Sequence, residues 1–378
     1  MKILHVVPSR QTSYGGPVRV AEYIGAYMEA VSDDVRIFPG SIELTRGRWY
    51  VPKLNAIKRL YECVKWADIV HVHGIWTFPT TFASVVASLT GTPYFVNPHG
   101  MLDVWQLKQS KWLKLIYSAV IEKRNLNRAT AVCFTHEEEM QEASAYSKFP
   151  NAFILPNAVD TSVFENLPDR EELEKLYPQL VDKTVIFFMA RLHPKKGLDL
   201  LIRAIASLEN ERLEKLVLLV AGDRSGAYYE EMLALVERAC LQSQVIFVGE
   251  VLGQQKAIFL GGADIFALTS HQEGDSIALK EAMASGLPLL MTRQCHYPAW
   301  EPAGFAKVVD TNVNQIALAL GSLLSPSTNL SEMGCIASRY AKEHFDVAKV
   351  YRDLRQGYLD AISGAHTSSG WVRNKEGQ

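Results

Sequence analysis

Short apolar segments typical of β-strands alternate with segments of helical periodicity along this chain of 378 residues. Because parallel strands must be joined by a crossover, usually a helix, this alternation predicts parallel sheets built from βαβ units. A chain of this length exceeds one ordinary core and predicts two such α/β domains. The predicted strands are Lys2–Pro8, Asp68–Val72, Tyr94–Asn97, Thr130–Phe134, Ala152–Leu155, Thr184–Met189, Leu216–Gly222, Val245–Gly249, Asp264–Thr269 and Pro288–Thr292.

Charge and cysteine content argue against several classes of protein. The net charge of −2 is far from the strongly basic surface that nucleic-acid binding requires. The five cysteines are scattered and form no CxxC pair, which favours a reducing compartment and no zinc site. No apolar run approaches the roughly 20 residues of a membrane span, and the start MKILHVVPS is typical of a strand rather than a signal peptide. We therefore expect a cytoplasmic protein, soluble or peripheral to a membrane.

The stretch HQEGDSIALKEAMASGLP carries two glutamates, Glu273 and Glu281, around a predicted helix start. Asp275 or Ser276 is a natural N-cap, because a short oxygen side chain accepts a hydrogen bond from a free amide of the first turn. The remaining amides and the helix dipole favour an anion such as a diphosphate, and Gly274 permits close approach. Glu281, about one and a half turns on, has two acceptor oxygens that suit two ribose hydroxyls. The plainer interpretation is a helix start with solvated acids.

Two cations, Arg191 and Lys196, lie in the loop after the predicted strand Thr184–Met189. Both can converge on one anion, the guanidinium as a fixed fork and the ammonium as a mobile point charge. Basic loop residues are more often simply solvated, so this interpretation needs further support.

Glycines at other predicted strand ends can bring main-chain groups close to a ligand. Gly15-Gly16 follows the first strand, at the edge where open α/β sheets bind ligands, but it lacks the GxGxxG pattern of dinucleotide sites. Gly222 and Gly249 end two further predicted strands, where main-chain groups can meet a nucleobase.

Two histidines, His73 and His99, each precede a glycine where a predicted strand ends. A lone histidine is usually structural, but two at one edge of a sheet indicate a ligand site.

The segment 103–128 has helical periodicity, six lysines or arginines and two acids. The plain interpretation is a surface helix with a solvated basic face. The alternative is contact with anionic lipid, because basic amphipathic helices favour membrane surfaces.

Together these motifs resemble the retaining GT-B glycosyltransferases of glycosyltransferase family 4. Glu273-x7-Glu281 matches the E-x7-E signature, although Asp275 and Ser276 stand where the family usually has Phe and Gly. The string 190–197 is similar to the family pattern G-R-L-x-x-x-K-G, with Ala190 in place of the first glycine. Residues 156–160 resemble the PNGVD hinge with Ala in place of Gly.

The resemblance implies an α/β fold of GT-B architecture, with two Rossmann-like parallel-sheet domains facing a central cleft. The implied acceptor-side domain covers residues 1–160 together with a crossover helix at about 346–362. The implied donor-binding domain covers 161–345, and 363–378 is expected to be a loose tail.

The implied reaction is transfer of a hexosyl unit, with retention, from a nucleotide sugar to a hydroxyl of a saccharide or lipid-linked saccharide. A UDP-sugar is favoured over a GDP-sugar, in bacterial surface polysaccharide or lipid-linked oligosaccharide assembly. The implied catalytic residues are Arg191, Lys196, Glu273 and His99. The implied donor-binding residues are Gly15, Gly16, Gly222, Val251, Gly274, Asp275, Ser276, Ile277 and Glu281.

No metal or cofactor is expected, because Arg191 and Lys196 can neutralise a diphosphate and no DxD motif offers a clamp for a divalent cation. The alternative is a catalytically inactive nucleotide-sugar-binding or scaffold subunit of the same fold. The presence of Arg191, Lys196, Glu273 and Glu281 argues against that alternative.

Overall fold

The structure is a computed structural model that describes residues 1–8, 16–38, 54–102, 121–149, 151–365 and 371–372. The strands of these residues are β1 (Lys2–Val6), β2 (Asp34–Phe38), β3 (Ile69–His73), β4 (Tyr94–Asn97), β5 (Ala131–Phe134), β6 (Ala152–Ile154), β7 (Thr184–Met189), β8 (Leu216–Ala221), β9 (Val245–Gly249), β10 (Ile265–Leu268), β11 (Leu289–Thr292), β12 (Ala306–Val309) and β13 (Trp371–Val372).

The α-helices are α1 (Gly16–Ala30), α2 (Leu54–Trp66), α3 (Phe78–Thr90), α4 (Lys123–Arg128), α5 (Glu137–Ala143), α6 (Arg170–Leu176), α7 (Leu198–Ala206), α8 (Asn210–Leu213), α9 (Ala227–Arg238), α10 (Gly253–Gly262), α11 (Ile277–Ala284), α12 (Val313–Leu323), α13 (Leu330–His344) and α14 (Val347–Ser363). None of the described helices is both long enough and apolar enough to cross a membrane.

The chain divides into two compact units, each with its own sheet. Unit 1 comprises Met1–Asn157 and Ala348–Gln378, and unit 2 comprises Ala158–Val347. The expected α/β class is confirmed, because each unit has a parallel sheet whose strands are joined by helices.

The sheet of unit 1 has the order β13-β6-β5-β4-β3-β1-β2, and only β13 runs antiparallel to its neighbour. Strands β3, β4 and β5 are buried along their whole length, as expected where a parallel sheet is covered on both faces. Helix α14 packs on this unit, where Arg355 donates to both oxygens of the buried Asp33 at 2.7 and 3.1 Å.

The sheet of unit 2 has the order β12-β11-β10-β7-β8-β9, all parallel. Its core is a continuous cluster of buried Val, Leu, Ile and Phe side chains contributed by all six strands and the helices that cover them.

In both sheets the chain adds strands first on one side of the unit's first strand and later on its other side, so the order of strands reverses beside that first strand. In unit 1 the reversal lies between β1 and β3, and in unit 2 it lies between β7 and β10. The loops after two such strands leave in opposite directions and open a crevice at the carboxyl edge, which is where open α/β sheets bind ligands. These two positions are therefore where site residues are to be sought.

Elements with mixed polarity were missed from the sequence. The edge strand β2 alternates exposed and half-buried residues, Asp34 and Arg36 among them, and so lacks the apolar run that marked the inner strands. Strand β12 also has half-buried residues on one face, Lys307 among them.

Candidate functional site

The reversal point of unit 2 carries a lysine and a glutamate from two neighbouring strands. Strands β7 and β10 pair in parallel, with Ile186 opposite Ile265. Lys196 lies in the loop after β7, and Glu273 lies in the loop after β10. The fold thus brings together two of the predicted catalytic residues, which are 77 residues apart in sequence.

Lys196 Nζ forms a short ion pair with Glu273 Oε1, and the same oxygen accepts a hydrogen bond from Ser270 Oγ at 2.7 Å. The side chains are 19% and 8% exposed, so the pair is partly withdrawn from water but still accessible. An ammonium has three donors, so Lys196 can hold this carboxylate and still donate to an incoming anion.

Main-chain contacts fix the loop that carries Lys196. Residues 194–196 form one 3₁₀ turn, capped by His193 Nδ1, which accepts the Lys195 N–H at 3.1 Å. Gly197 follows with φ of +64°, and a Cβ there would lie 2.0 Å from the carbonyl oxygen of Thr269. Only glycine allows this approach.

The same approach ties the two loops together. Thr269 Oγ1 donates to the Gly197 carbonyl at 2.7 Å, and the His271 N–H donates to the Lys195 carbonyl at 2.7 Å. Because Thr269 and His271 lie in the segment that leads from β10 to Glu273, the loops that carry Lys196 and Glu273 form one hydrogen-bonded unit.

The start of α11 is capped as expected by Ser276, whose side chain accepts the Leu279 N–H at 3.4 Å. Asp275 points inward instead of toward solvent. Its Oδ2 pairs with the fully buried Lys280 at 2.5 Å, and its Oδ1 accepts from the Tyr297 hydroxyl at 2.6 Å. Both oxygens therefore hold the helix start, and the expected contact of Asp275 with a donor remains a prediction.

Lys280 is an unusual cation, because none of its side chain is exposed. Burial lowers the pKa of Lys280, and the ion pair with Asp275 opposes that shift. The ammonium also lies 4.3 Å from the centre of the Phe345 ring, a cation–π contact that helps to replace lost hydration.

The second glutamate of the motif is likewise neutralised by a lysine. Glu281 Oε1 accepts from Lys256 Nζ of α10 at 2.6 Å, and both side chains are about one fifth exposed, at 17% and 25%. The E-x7-E pattern thus becomes two accessible lysine–carboxylate pairs, Lys196–Glu273 and Lys256–Glu281.

The surroundings of four other predicted donor-binding residues differ from one another. A Cβ at Gly222 would lie 2.5 Å from the Ala190 carbonyl oxygen, so glycine is required at the end of β8. Val251 is buried in the core, and Ile277 packs partly against it. Gly274 is exposed, with open space where a Cβ would be.

Arg191 is exposed and makes no hydrogen bond or ion pair with the described residues. The structure does not bring it into contact with Lys196, so its predicted role remains a prediction. Gly15 and residues 103–120 lie outside the described residues, and Gly16 is the first residue of α1.

A buried thiol lies near the Lys196–Glu273 pair. Burial raises the pKa of the Cys295 thiol to about 12, with a further contribution from the charge of Glu273. The thiol is therefore neutral and adds no second negative charge beside that carboxylate.

In unit 1, His99 lies in a constrained turn after β4. Its φ is +51°, a left-handed conformation that is rare for residues other than glycine, and its N–H donates to Asn97 Oδ1 at 3.1 Å. The next N–H, of Gly100, donates to Glu139 Oε1 at 2.9 Å. Glu139 Oε2 in turn accepts from both the N–H and the hydroxyl of Thr135, at 2.6 and 2.7 Å. Such strain persists only where surrounding contacts enforce it, and it is frequent at ligand sites.

Behind His99 lies a buried cluster of imidazoles at the reversal point of unit 1. His5 of β1 and His71 and His73 of β3 are fully buried, and their ring nitrogens lie within 4.8 Å of one another. Burial lowers the pKa of each of the four histidines, to about 3 for His5 and about 4 for His99. All four rings are therefore neutral near pH 7, and the three buried ones are the group among the described residues that could hold a metal ion.

Sequence reasoning missed Lys256, Lys280, Glu139, His5 and His71. His71 had a usable signal, because it precedes the predicted His73 by two residues and must therefore share one face of β3 with it. No comparable signal marked the lysines: Lys256 of α10 meets Glu281 of α11 across 25 residues of sequence, and Lys280 pairs with Asp275 only because both side chains turn inward.

Models of two families match most of the chain. Residues 15–158 match the glycosyl transferase 4-like domain, and residues 169–337 match glycosyl transferases group 1.

Curated relatives are similar over part of their length. The chain is 28% identical over 245 residues to the GDP-mannose-dependent alpha-(1-6)-phosphatidylinositol monomannoside mannosyltransferase of Mycolicibacterium smegmatis, covering 62% of this chain and 63% of the relative. It is 28% identical over 228 residues to the D-inositol 3-phosphate glycosyltransferase of Kineococcus radiotolerans, covering 56% and 52%. In both cases the aligned segment spans less than two thirds of the relative's own length.

Among solved structures, Anabaena Alr3699/HepE in complex with UDP matches with a TM-score of 0.77 and 16% identity, over 95% of this chain and all of that one. The fold with its two parallel sheets is therefore that of the GT-B glycosyltransferases. Both family matches are to glycosyltransferase domains, and together they support a glycosyltransferase of the family 4 type.

Proposed function

We propose that this protein transfers a hexosyl unit from a nucleoside diphosphate sugar to a hydroxyl of a saccharide or lipid-linked saccharide, with retention of the anomeric configuration. The observation that carries this proposal is the Lys196–Glu273 pair at the reversal point of unit 2, close to the capped start of α11. One cation, one carboxylate and free helix amides are the groups that a sugar diphosphate needs.

In the proposed reaction Lys196 neutralises the charge that grows on the leaving diphosphate. Preorganised donors of this kind are worth the most where charge develops, and losing one typically lowers the rate ~10²–10³-fold. Arg191, exposed near the end of β7, is proposed to turn toward the same phosphates once a donor is bound. No metal ion is required for this neutralisation.

Glu273 is proposed to bind hydroxyls of the transferred sugar once the diphosphate competes for Lys196. Retention then follows from attack on the face that the diphosphate leaves, with a phosphate oxygen taking the proton of the acceptor hydroxyl. A covalent glycosyl–Glu273 intermediate is the rival route to retention, as in retaining glycosidases.

Glu281 is proposed to bind the two ribose hydroxyls, and Gly222 and Val251 are proposed to line the base. Sequence favours a UDP-sugar, and the UDP complex of Alr3699/HepE supports it. The GDP-mannose-dependent relative makes GDP-mannose the donor to test beside it. The proposed setting is the cytoplasm, at the inner face of a membrane when the acceptor is lipid-linked.

The test is nucleoside diphosphate release from UDP-glucose and from GDP-mannose, without and with a membrane extract as acceptor, alongside calorimetric titration of UDP and GDP. We expect one nucleotide to bind and the same nucleoside diphosphate to be released from its sugar donor faster with extract, giving a product whose one-bond C1–H1 coupling shows the donor's anomeric configuration. Binding without release from any donor would instead identify an inactive nucleotide-sugar-binding subunit. An inverted product would overturn the assignment of mechanism.

A further inference from the structure

Three imidazoles in unit 1 form a continuous hydrogen-bonded chain that ends at His99. His5 Nδ1 lies 2.9 Å from His73 Nε2, and His73 Nδ1 lies 3.1 Å from His99 Nε2. His5 and His73 are fully buried, whereas His99 is half-buried. This row of hydrogen-bonded imidazoles therefore runs from the interior of the sheet to its carboxyl edge.

The protons in this chain can be placed by counting. Each neutral imidazole has one N–H donor and one acceptor nitrogen. Each of the two contacts needs one donor and one acceptor, so the protons of all three rings must point the same way along the chain. Only two arrangements satisfy this condition, one toward His99 and one toward the interior.

The buried end decides between the two arrangements. His5 Nε2 is buried and has no hydrogen-bond partner among the described residues. If the protons pointed inward, this atom would be a buried N–H without an acceptor, which folded proteins almost never contain. If they point outward, it is an unfilled lone pair, which is less costly. His5 Nδ1–H then donates to His73, and His73 Nδ1–H donates to His99.

We propose that His5 and His73 are positioning residues that hold His99 in the tautomer with its proton on Nδ1. His99 Nε2 is occupied as an acceptor, so the ring offers a ligand only a hydrogen-bond donor. The ligand atom it suits is an acceptor oxygen, such as a sugar hydroxyl or a phosphate oxygen. That this oxygen belongs to a sugar donor rests on the proposed function, whereas the tautomer itself does not.

The left-handed backbone of His99 serves the same end. Asn97 and Glu139 accept the N–H groups of His99 and Gly100 and so hold the main chain from which the ring projects. The contact with His73 fixes which ring nitrogen faces inward. The alternative use of the cluster is metal binding by His5, His71 and His73. His5 Nε2 could supply a lone pair, but His73 could not, because its Nε2 lone pair already accepts from His5 and its Nδ1 carries the proton given to His99.

The test is ¹⁵N NMR of the free full-length protein with labelled histidine, where ring shifts distinguish protonated from unprotonated nitrogens. A His99→Gln variant assigns the His99 signals. We expect Nδ1 protonated and Nε2 unprotonated in the wild type. His73→Leu removes the donor, so we expect the His99 signals to shift to a mixture of tautomers and kcat/KM to fall about tenfold, the scale of one hydrogen bond.

Two further variants separate positioning from mere packing. His73→Asn keeps an amide donor where His73 Nδ1 lies, and we expect it to restore the wild-type His99 signals and keep kcat/KM within about threefold. His71→Phe removes an equally buried ring that bonds Tyr358 and not the chain, and it should leave the His99 tautomer unchanged.

A wild-type His99 with its proton on Nε2 would overturn the proposal, as would a His73→Leu variant with unchanged signals. Stoichiometric shifts of the three buried histidines on addition of Zn²⁺ would replace it with a metal site. If His73→Leu does not fold, the wild-type spectrum and the Asn variant still decide. The spectra need no substrate, so absence of glycosyl transfer would refute the proposed function without touching this result.

Discussion

The two units present the same topological feature with opposite chemistry. In unit 2 the reversal point between β7 and β10 carries full charges, Lys196 and Glu273, on loops that solvent reaches. In unit 1 the reversal point between β1 and β3 carries neutral imidazoles inside the strands themselves. The comparison shows that the same sheet topology places the two candidate sites, while the residues at each one determine the chemistry that it offers.

The largest expected difference between the units is in their stability at acidic pH. Below pH 6.5 an unfolded chain protonates its histidines, whereas burial keeps the pKa of His5 at about 3 and that of His99 at about 4 in the folded protein. The unfolded state then binds more protons, so the free energy of unfolding falls as pH decreases from about 6.5 toward 3, by on the order of 5 kcal/mol for His5 alone.

Unit 1 should therefore unfold at a higher pH than unit 2. Hydrogen exchange at pH 4.5, resolved by peptide, checks this, and His5→Leu should move the transition to lower pH. His193→Gln, an exposed histidine of unit 2, is the control. Acid unfolding that begins in unit 2 would contradict the comparison.

Breaking the buried ion pair of unit 2 is the next largest effect. Lys280→Met leaves Asp275 buried without its cation, which typically costs about 3–5 kcal/mol. Urea unfolding of unit 2 measures the loss. Lys342→Met breaks the exposed Lys342–Glu165 pair in the same unit and should change stability little. Equal effects of the two variants would mean that burial is not what matters at Asp275.

Removing the accessible cation should affect rate instead of stability. Lys196→Ala is expected to lower turnover ~10²–10³-fold while the protein stays folded. Lys195→Ala, in the same turn, is the matched control and should retain most of the activity. Near-wild-type turnover by folded Lys196→Ala would separate this lysine from the proposed phosphate contact.

The two glutamates should fail differently. Glu281→Gln should mainly raise the apparent KM and weaken nucleoside diphosphate binding by about tenfold, because its proposed ribose contact is the same in ground and transition states. Glu273→Gln should lower kcat and leave nucleoside diphosphate binding nearly unchanged, because its proposed partner is the sugar. Titration with the nucleotide that the wild type binds tests both, and the reverse pattern would exchange the two roles.

The smallest expected effect is that of a chelator. Activity should survive EDTA, because Lys196 and Arg191 are proposed to neutralise the diphosphate without a divalent ion. Complete loss, restored by Mg²⁺ or Mn²⁺, would move the charge neutralisation from these residues to a metal.

The sequence predicted the fold well wherever strands are buried on both faces. β4 and β7 have the predicted bounds, and β3 and β10 lie within one residue of theirs, because each is a continuous apolar or largely apolar run. Edge strand β2 was missed, because a half-exposed strand need not be apolar.

At the site, the sequence pointed to Lys196, Glu273 and Glu281 but not to the ion pairs that they form. Spacing along the chain places residues on loops, whereas contacts such as Glu281–Lys256 depend on how helices α10 and α11 pack. Asp275 shows the limit most clearly. Its place in the motif predicts that Asp275 binds a ligand. Only the fold shows that it faces the buried Lys280.

The contact between Gly197 and Thr269 also has a kinetic consequence. Since the Thr269 hydroxyl and the His271 N–H both donate to carbonyls of the loop that bears Lys196, this loop and the one that bears Glu273 are tied together. A charged substrate that reaches Lys196 would then exchange places with Glu273 as the partner of the ammonium, without either loop opening on its own. Between turnovers, the ion pair with Glu273 would hold the Lys196 ammonium in the position where it meets the substrate.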